Sequence, residues 1–513
     1  MNLSSIPLPV FVVVPLVAAF VLPLFGKKGK SAATLLANLV VIFLLVLSVA
    51  SVGHQRVYIV GKWPIPLGIN MVLDGLSSLM LLTISVVSAA AMLFSVRYME
   101  QYTAKSKYLS LFMLMVASMN GLVLSGDIFN LFVFLEIASI SSYALVAFGC
   151  EHEELEAAFK YMVLGSVGST FVLFGIALVY GNTGALNMAY ISKAIVERGM
   201  NAGLNFALCL FIVGFGVKAA LVPFHAWLPD AHPAAPAPIS AMLSGVIIKV
   251  LGVYALARVI FNVFGITIQV SWVLIGLGVL SMVIGVFLAV GQWDFKRLLA
   301  YHSISQMGYV VLGIGIGALI LCRGGNIIWA SLAILGGLFH LVNHAVFKSL
   351  LFLTSGSVEM ATGTRKLKEL GGLSEKMPNT SAACLIASAS IAGVPPFNGF
   401  WSKLILVISA VQARFYGLAA VIVIVSLVTL ISFLKVQRYV FLGELPQNLR
   451  DVKENRGSML IAMGFLACLC VLMGLLLIQP LRDNILVPAV KVLTDGVSYS
   501  ANVVDMIKGS GKL

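Results

Sequence analysis

Residues 215–238 read FGVKAALVPFHAWLPDAHPAAPAP. An apolar run reaches Lys218 and is then cut by Pro223, Pro229, Pro233, Pro236 and Pro238. Proline lacks an amide N–H and clashes with the carbonyl four residues back, so one continuous helix is impossible here. A second stretch, IAGVPPFNGFWSKLILVISA at 391–410, is cut at Pro395 and Pro396. Both interruptions sit inside segments otherwise apolar enough to cross a bilayer. Backbone groups freed at that depth need protein or water partners. Paired broken segments in two halves of a chain point to a core of inverted repeats.

The composition agrees. The chain has 513 residues, of which 60% are hydrophobic and 10% charged. Soluble domains carry about 25% charged residues. A soluble enzyme, a disordered chain and a nucleic-acid partner are excluded. The runs do not alternate as barrel strands must. They make about 14 segments long enough to span, and the expected fold is an all-α polytopic membrane protein. The broken stretches fall in segments 7 and 12. Their odd separation makes segments 4–8 and 9–13 the natural inverted five-helix repeats. The expected divisions are 1–108, 109–262 (first repeat), 263–442 (second repeat) and 443–513. The tail after residue 480 is expected along the membrane surface.

The formal net charge is +13, carried by loops. About 18 Lys and Arg fall in odd-numbered loops, from Lys27, Lys28 and Lys30 to Arg456, and about 7 in even-numbered ones. The positive-inside rule puts odd loops in the cytoplasm and both termini outside, in the inner membrane of a prokaryote. No basic region precedes the first apolar run, which reads as a retained helix. The acidic run Glu151–Glu156 reads as a solvated cytoplasmic face able to meet a basic partner, and Asp294, Lys296 and Arg297 as a cytoplasmic loop cluster. The six cysteines show no CxxC or Cys/His cluster and read as core residues. No metal, cofactor or catalytic centre is expected.

Five charges remain deep in apolar runs: Glu136, Lys218, Lys249, Lys348 and Lys403. Each costs at least about 2.5–3.5 kcal/mol at a helix centre. Desolvation disfavours the charged form of lysine and carboxylate alike, which suits both to proton exchange. Glu136 with Lys218 is the candidate ion pair. His340, His344 and Lys348 recur every fourth residue and line one face over about 12 Å. They read as a proton relay. His225, just past the first break, is a candidate gate. Asp74 and Asp127, near segment starts, are candidate helix caps.

NLFVFLEIASISSYALV (130–146), VKAALVPFHAWLPDAHPAAPAPISA (217–241), DFKRLLAYHSISQMGYV (294–310), NHAVFKSLLFLTSGSV (343–358) and GVPPFNGFWSK (393–403), in this order, together resemble the antiporter-like subunits. These occur in respiratory complex I, Mrp-type Na+/H+ antiporters and membrane-bound hydrogenases. The resemblance covers roughly residues 70–440. It implies 14 helices with two inverted five-helix repeats and discontinuous helices 7 and 12. It also implies a Glu136–Lys218 pair, a central Lys249, a relay of His344 and Lys348, and a terminal Lys403. Lysine at that last position, where some complex I subunits carry Glu, points towards the D-type Mrp subunit and its hydrogenase equivalents. Gln306 stands where some relatives have His, so a protonatable group there is in doubt.

The expected function is proton translocation, with Na+ exchange as an option, inside a multi-subunit complex. Expected partners are other membrane subunits, the lipid bilayer and, in redox-driven assemblies, a soluble hydrogenase or other redox arm. The alternatives are a solitary secondary transporter and a structural or quinone-site membrane subunit.

Overall fold

The computed structural model describes residues 6–26 and 29–510; Lys27 and Lys28 lie outside them. The chain is an all-α polytopic membrane protein. Among the described residues, eleven helices are long and apolar enough to cross a membrane, and Val10–Phe25 and Ala202–Lys218 are shorter apolar helices. The two interrupted segments resolve as expected. Ala202–Lys218 stops and the chain resumes at Leu228–Ala234; Pro378–Ala392 stops and resumes at Asn398–Gln412. The one sheet among the described residues is an antiparallel pair, Arg56–Ile59 with Asn70–Leu73, pairing Arg56 opposite Leu73.

Polar side chains start the helices. Asp74 caps Gly75–Tyr98 through the Ser77 amide, while Ser77 accepts from the Asp74 amide. Asp127 accepts from the Asn130 amide, Asp294 from that of Arg297 and Thr267 from that of Val270. Each such cap satisfies an orphan donor worth about 1 kcal/mol. The acidic run is therefore structural in part: Glu151 and Glu154 form a reciprocal cap at the start of His152–Thr183.

Small residues bring the long helices together. A Cβ on Gly308 would stand 2.5 Å from the Gly278 carbonyl oxygen. Helices Ile268–Val290 and Phe295–Cys322 thus touch backbone to backbone, the close approach that membrane helices use when lipid supplies no hydrophobic drive.

The loops sort by parity. Residues of odd loops meet one another: Arg365 with Glu153 and Asp294, Lys160 and Arg297 with Asp230, and Glu454 with the Asn379 and Thr380 amides. Even-loop residues meet at the other end: Asn187 with Asn70, Asp127 with Asn187, and Asp74 with Arg258. The Asp294 cluster is not wholly a loop. Lys296 lies in the first turn of a helix and is 2% exposed.

The tail after residue 480 docks on protein. Tyr499 donates to Asp74, Arg258 pairs with Asp74 at 2.8 Å, and Asn262 donates to the Val492 and Gly496 carbonyls. Breaking a buried ion pair by removing one partner costs about 3–5 kcal/mol. Arg258→Ala is expected to lower the melting temperature of the purified complex and to free the 498–510 helix to limited proteolysis. An unchanged melting curve would show that the pair does not hold the tail.

Candidate functional site

The first break positions Lys218. The helix ends on it, and Ala220 takes a positive φ of 53° as the chain turns. The carbonyl of Val217 accepts from the Trp227 indole at 2.9 Å, and the Val222 amide donates to Ser281 Oγ at 3.0 Å. Trp227 stacks on Tyr161 with centroids 4.1 Å apart. The aromatic and serine partners replace the missing helical bonds, as an apolar interior requires. A Cβ on Gly252 would fall 2.5 Å from the Ala219 backbone, so only glycine lets the neighbouring helix seat against the break.

Lys218 is buried. Its Nζ lies 3.8 Å from Glu136 Oε1 and donates to Ser139 Oγ at 2.9 Å and Tyr143 Oη at 3.4 Å. Glu136 accepts from Ser169. The structure thus brings Glu136 and Lys218 together, with one difference from the sequence expectation. The Glu136 side chain remains 30% exposed, on a wall with Phe129, Val133 and Ile140.

Lys249 is fully buried in a π-helical stretch, Leu243–Tyr254. Its ammonium donates to the Ser244 carbonyl at 2.6 Å. The wide turn of a π-helix, common at functional positions, leaves that carbonyl facing the lysine five residues on. Ser244 Oγ bonds Ser303 Oγ at 2.8 Å and joins this helix to Phe295–Cys322.

Helix Ile327–Thr362 holds His340, His344 and Lys348, all fully buried. Lys348 donates to the Leu299 carbonyl and lies over the Phe352 ring. Neither ring nitrogen of His344 has a protein partner. His340 Nδ1 bonds Ser402 Oγ at 2.9 Å, and its Nε2 faces Gln306 Oε1 at 3.1 Å. Tyr309 stands between His340, at 5.2 Å between ring centroids, and Lys403, whose Nζ is 4.9 Å from the ring.

At the second break Lys403 donates to the Ile391 carbonyl at 2.7 Å and to Ser426 Oγ at 3.0 Å; Ser426 donates to the Ala392 carbonyl. The lysine itself satisfies a carbonyl freed by the break. His225 is half-buried beside the first break with Nδ1 unpartnered, away from the contacts of the buried lysines. Asp74 and Asp127 act as caps, and Asp74 also anchors the tail.

Two buried histidines were missed by sequence reasoning. His302 lies one turn before Gln306 and bonds Ser432 Oγ at 2.8 Å. The helix whose protonatable group was in doubt therefore carries an imidazole. His232 lies in the resumed helix after the first break, with both ring nitrogens unpartnered and its ring against Phe352. The signal for both was present: a histidine within the quoted apolar motifs, where a polar ring is costly. Together with Asn343 and Asn398 they concentrate unpaired polar atoms in the bundle interior, a pattern that water normally serves.

Among the described residues no cluster of His, Cys, Asp and Glu is arranged to hold a metal ion. The interior set is instead lysines and imidazoles with hydroxyl and carbonyl partners, suited to passing protons between fixed sites.

Comparison with known proteins follows the same lines. The family described as "NADH:quinone oxidoreductase/Mrp antiporter, TM" matches residues 125–429, and "NADH-Ubiquinone oxidoreductase (complex I), chain 5 N-terminus" matches residues 60–109. The chain is 33% identical over 482 residues to the D-type subunit of the Na(+)/H(+) antiporter of Alkalihalophilus pseudofirmus, covering 92% of this chain and 94% of that one. A chain in the structure of the Mrp complex from Dietzia sp. superposes with a TM-score of 0.87 at 30% identity, covering 98% of this chain and 100% of that one. A chain of the membrane-bound sulfane sulfur reductase, an archaeal respiratory membrane complex, gives 0.83 at 32% identity, covering 97% and 99%.

The Lys218 contacts make a prediction. Hydrogen bonds to charged groups contribute about 1.5–3 kcal/mol, so Ser139→Ala strips a comparable support from the buried ammonium. Ion flux through the reconstituted complex is expected to fall roughly tenfold, with assembly unchanged and Ser139→Thr near normal. Equal flux in Ser139→Ala would show that Glu136 and Tyr143 hold the lysine without the serine.

Proposed function

The chain belongs to the family of antiporter-like membrane subunits found in NADH:quinone oxidoreductases and Mrp antiporters, and from that premise we propose that it translocates protons within a multi-subunit complex. The relay comprises Glu136, Lys218, Lys249, His340, His344, Lys348 and Lys403, with His232 and His302 as further imidazoles and His225 as a gate. The observation that carries this reading is the state of the lysines. Lys249, Lys348 and Lys403 are buried at membrane depth, and each is held by carbonyl or hydroxyl oxygens. Intramembrane charges of this kind mark ion pathways.

The two halves, 109–262 and 263–442, are read as inverted repeats, because each contains one broken helix and the breaks lie five segments apart. Residues 1–108 and 443–513 flank them. The excess of basic residues in odd loops supports a cytoplasmic odd-loop face and termini outside, in the cytoplasmic membrane of a prokaryote. The partly exposed Glu136 on an apolar wall supports a neighbouring membrane subunit there, since a bare carboxylate facing lipid is costly. The complex is either a Mrp-type antiporter exchanging H+ for Na+ or a redox-driven assembly with a soluble arm.

The test begins with the complex purified through a tag on this chain in mild detergent. Co-purifying iron–sulfur or nickel–iron subunits place it in a redox-driven pump; small hydrophobic subunits without metal place it in a gradient-driven antiporter. In that complex Lys249→Ala and Lys403→Ala are expected to assemble normally and to lose ion flux. Normal flux with poor assembly would make the lysines structural and refute the relay.

A further inference from the structure

Lys296 and Glu359 form a buried charge pair that the relay above does not use. Lys296 Nζ lies 2.8 Å from Glu359 Oε2 and donates to the Ala235 carbonyl at 3.3 Å. The two ends of the pair differ in exposure: 3% for the lysine side chain, 27% for the glutamate. The glutamate thus stands between water and the lysine.

On the outer side lies a cavity of about 520 Å³ on the odd-loop face. Glu153, Lys160, Asp230, Asp294, Arg297 and Arg365 line it. Arg365 connects this cavity to the pair: it contacts Asp294, reaches Glu359 Oε1 at 3.6 Å and donates to the Pro233 carbonyl at 3.0 Å.

On the inner side Lys296 shares its helix with the group that holds Lys348. The carbonyl that holds the Lys348 ammonium belongs to Leu299, one helical turn from Lys296 and about 4.5 Å along the axis. The Ala235 carbonyl that receives Lys296 lies 3.1 Å from Ser240 Oγ, whose hydroxyl has the nearer His232 carbonyl at 2.7 Å as its acceptor. The His232 ring and the Lys348 ammonium both lie against Phe352, and both His232 ring nitrogens are free of protein partners.

We propose that the Lys296–Glu359 pair, joined to this charged vestibule through Arg365, is the entry site through which protons pass from the odd-loop face to Lys348. The proposal rests on the relay reading above. The Glu359 carboxylate takes a proton from vestibule water and becomes neutral. The Lys296 ammonium, its counter-charge gone, gives its proton inward to a neutral His232 imidazole or Lys348 amine. Glu359 then returns its proton to the Lys296 amine, and the pair is reset with one proton moved inward.

The test uses the whole complex in proteoliposomes, on a Cys150→Ser background because Cys150 is exposed in an odd loop. Glu359→Gln is expected to assemble and to cut flux by roughly a hundredfold, the scale of a positioned acid–base group; Glu359→Asp restores most of it. In Asp230→Cys, a membrane-impermeant thiol reagent is expected to stop flux when added on the odd-loop side and to have no effect from the other side. If Glu359→Gln does not assemble, the thiol block decides alone. Normal flux in Glu359→Gln with flux lost in Lys249→Ala overturns the entry site and leaves the relay standing. Normal flux in both variants overturns the relay and the entry site together. Loss of flux in Glu359→Gln without a one-sided thiol block makes the pair structural and overturns the entry site.

Discussion

An apolar interior penalises every unpaired polar group, and the architecture of this chain follows from that constraint. Two helices stop inside apolar segments, each releasing backbone groups that cost several kcal/mol if left bare. At the first break the partners are Trp227 and Ser281. At the second they are Lys403 and Ser426. The second solution merges two problems into one: a freed carbonyl needs a donor, and a buried ammonium needs acceptors. The break and the charge stabilise each other, which is why Lys403 sits a few residues beyond Pro396 and not elsewhere on its helix.

The same constraint explains the close packing. Gly252 against Ala219 and Gly308 against Gly278 bring backbones within reach, where side chains would hold the helices apart. Tight contact leaves little room for water except where polar atoms lack protein partners. One group of those atoms lies on His232, His302, Gln306, Asn343, His344 and Asn398; others lie on residues such as Arg56, Asn70 and Asn120. Together with Lys218, Lys249, Lys348 and Lys403, that group makes up much of the polar part of the bundle interior.

What the sequence made legible was whatever is expensive locally. Prolines inside apolar runs, lysines at segment centres and a carboxylate in NLFVFLE each violate a rule that a single line of text reveals. The Glu136–Lys218 pair and the His340–Lys348 face were readable for that reason. Lys296 was not, because three charged residues near a segment start look like a loop, and only the fold shows that one of them turns inward towards Glu359. The exposure of Glu136 was equally hidden: periodicity cannot say whether a helix faces the bundle or its outer wall. The π-helical turns around Lys249 have no sequence signature, and they decide which carbonyl the lysine meets.

The partners of the interior lysines bear on mechanism. Lys218 has a carboxylate within 3.8 Å, whereas Lys249, Lys348 and Lys403 have carbonyl and hydroxyl oxygens. A carboxylate favours the ammonium strongly and resists its deprotonation. A carbonyl accepts a hydrogen bond from an amine as well as from an ammonium, so its site is satisfied in both protonation states. Three lysines with neutral acceptors can therefore change charge without leaving a buried group bare. The one with a carboxylate can do so only if the pair separates or Glu136 takes up a proton. On the proposed relay, the Glu136–Lys218 pair is thus the point where charge movement and structure are most tightly tied. Its carboxylate is 30% exposed and reaches the protein surface, so on the proposed relay a subunit covering Glu136 would set the electrostatic cost of charging the series.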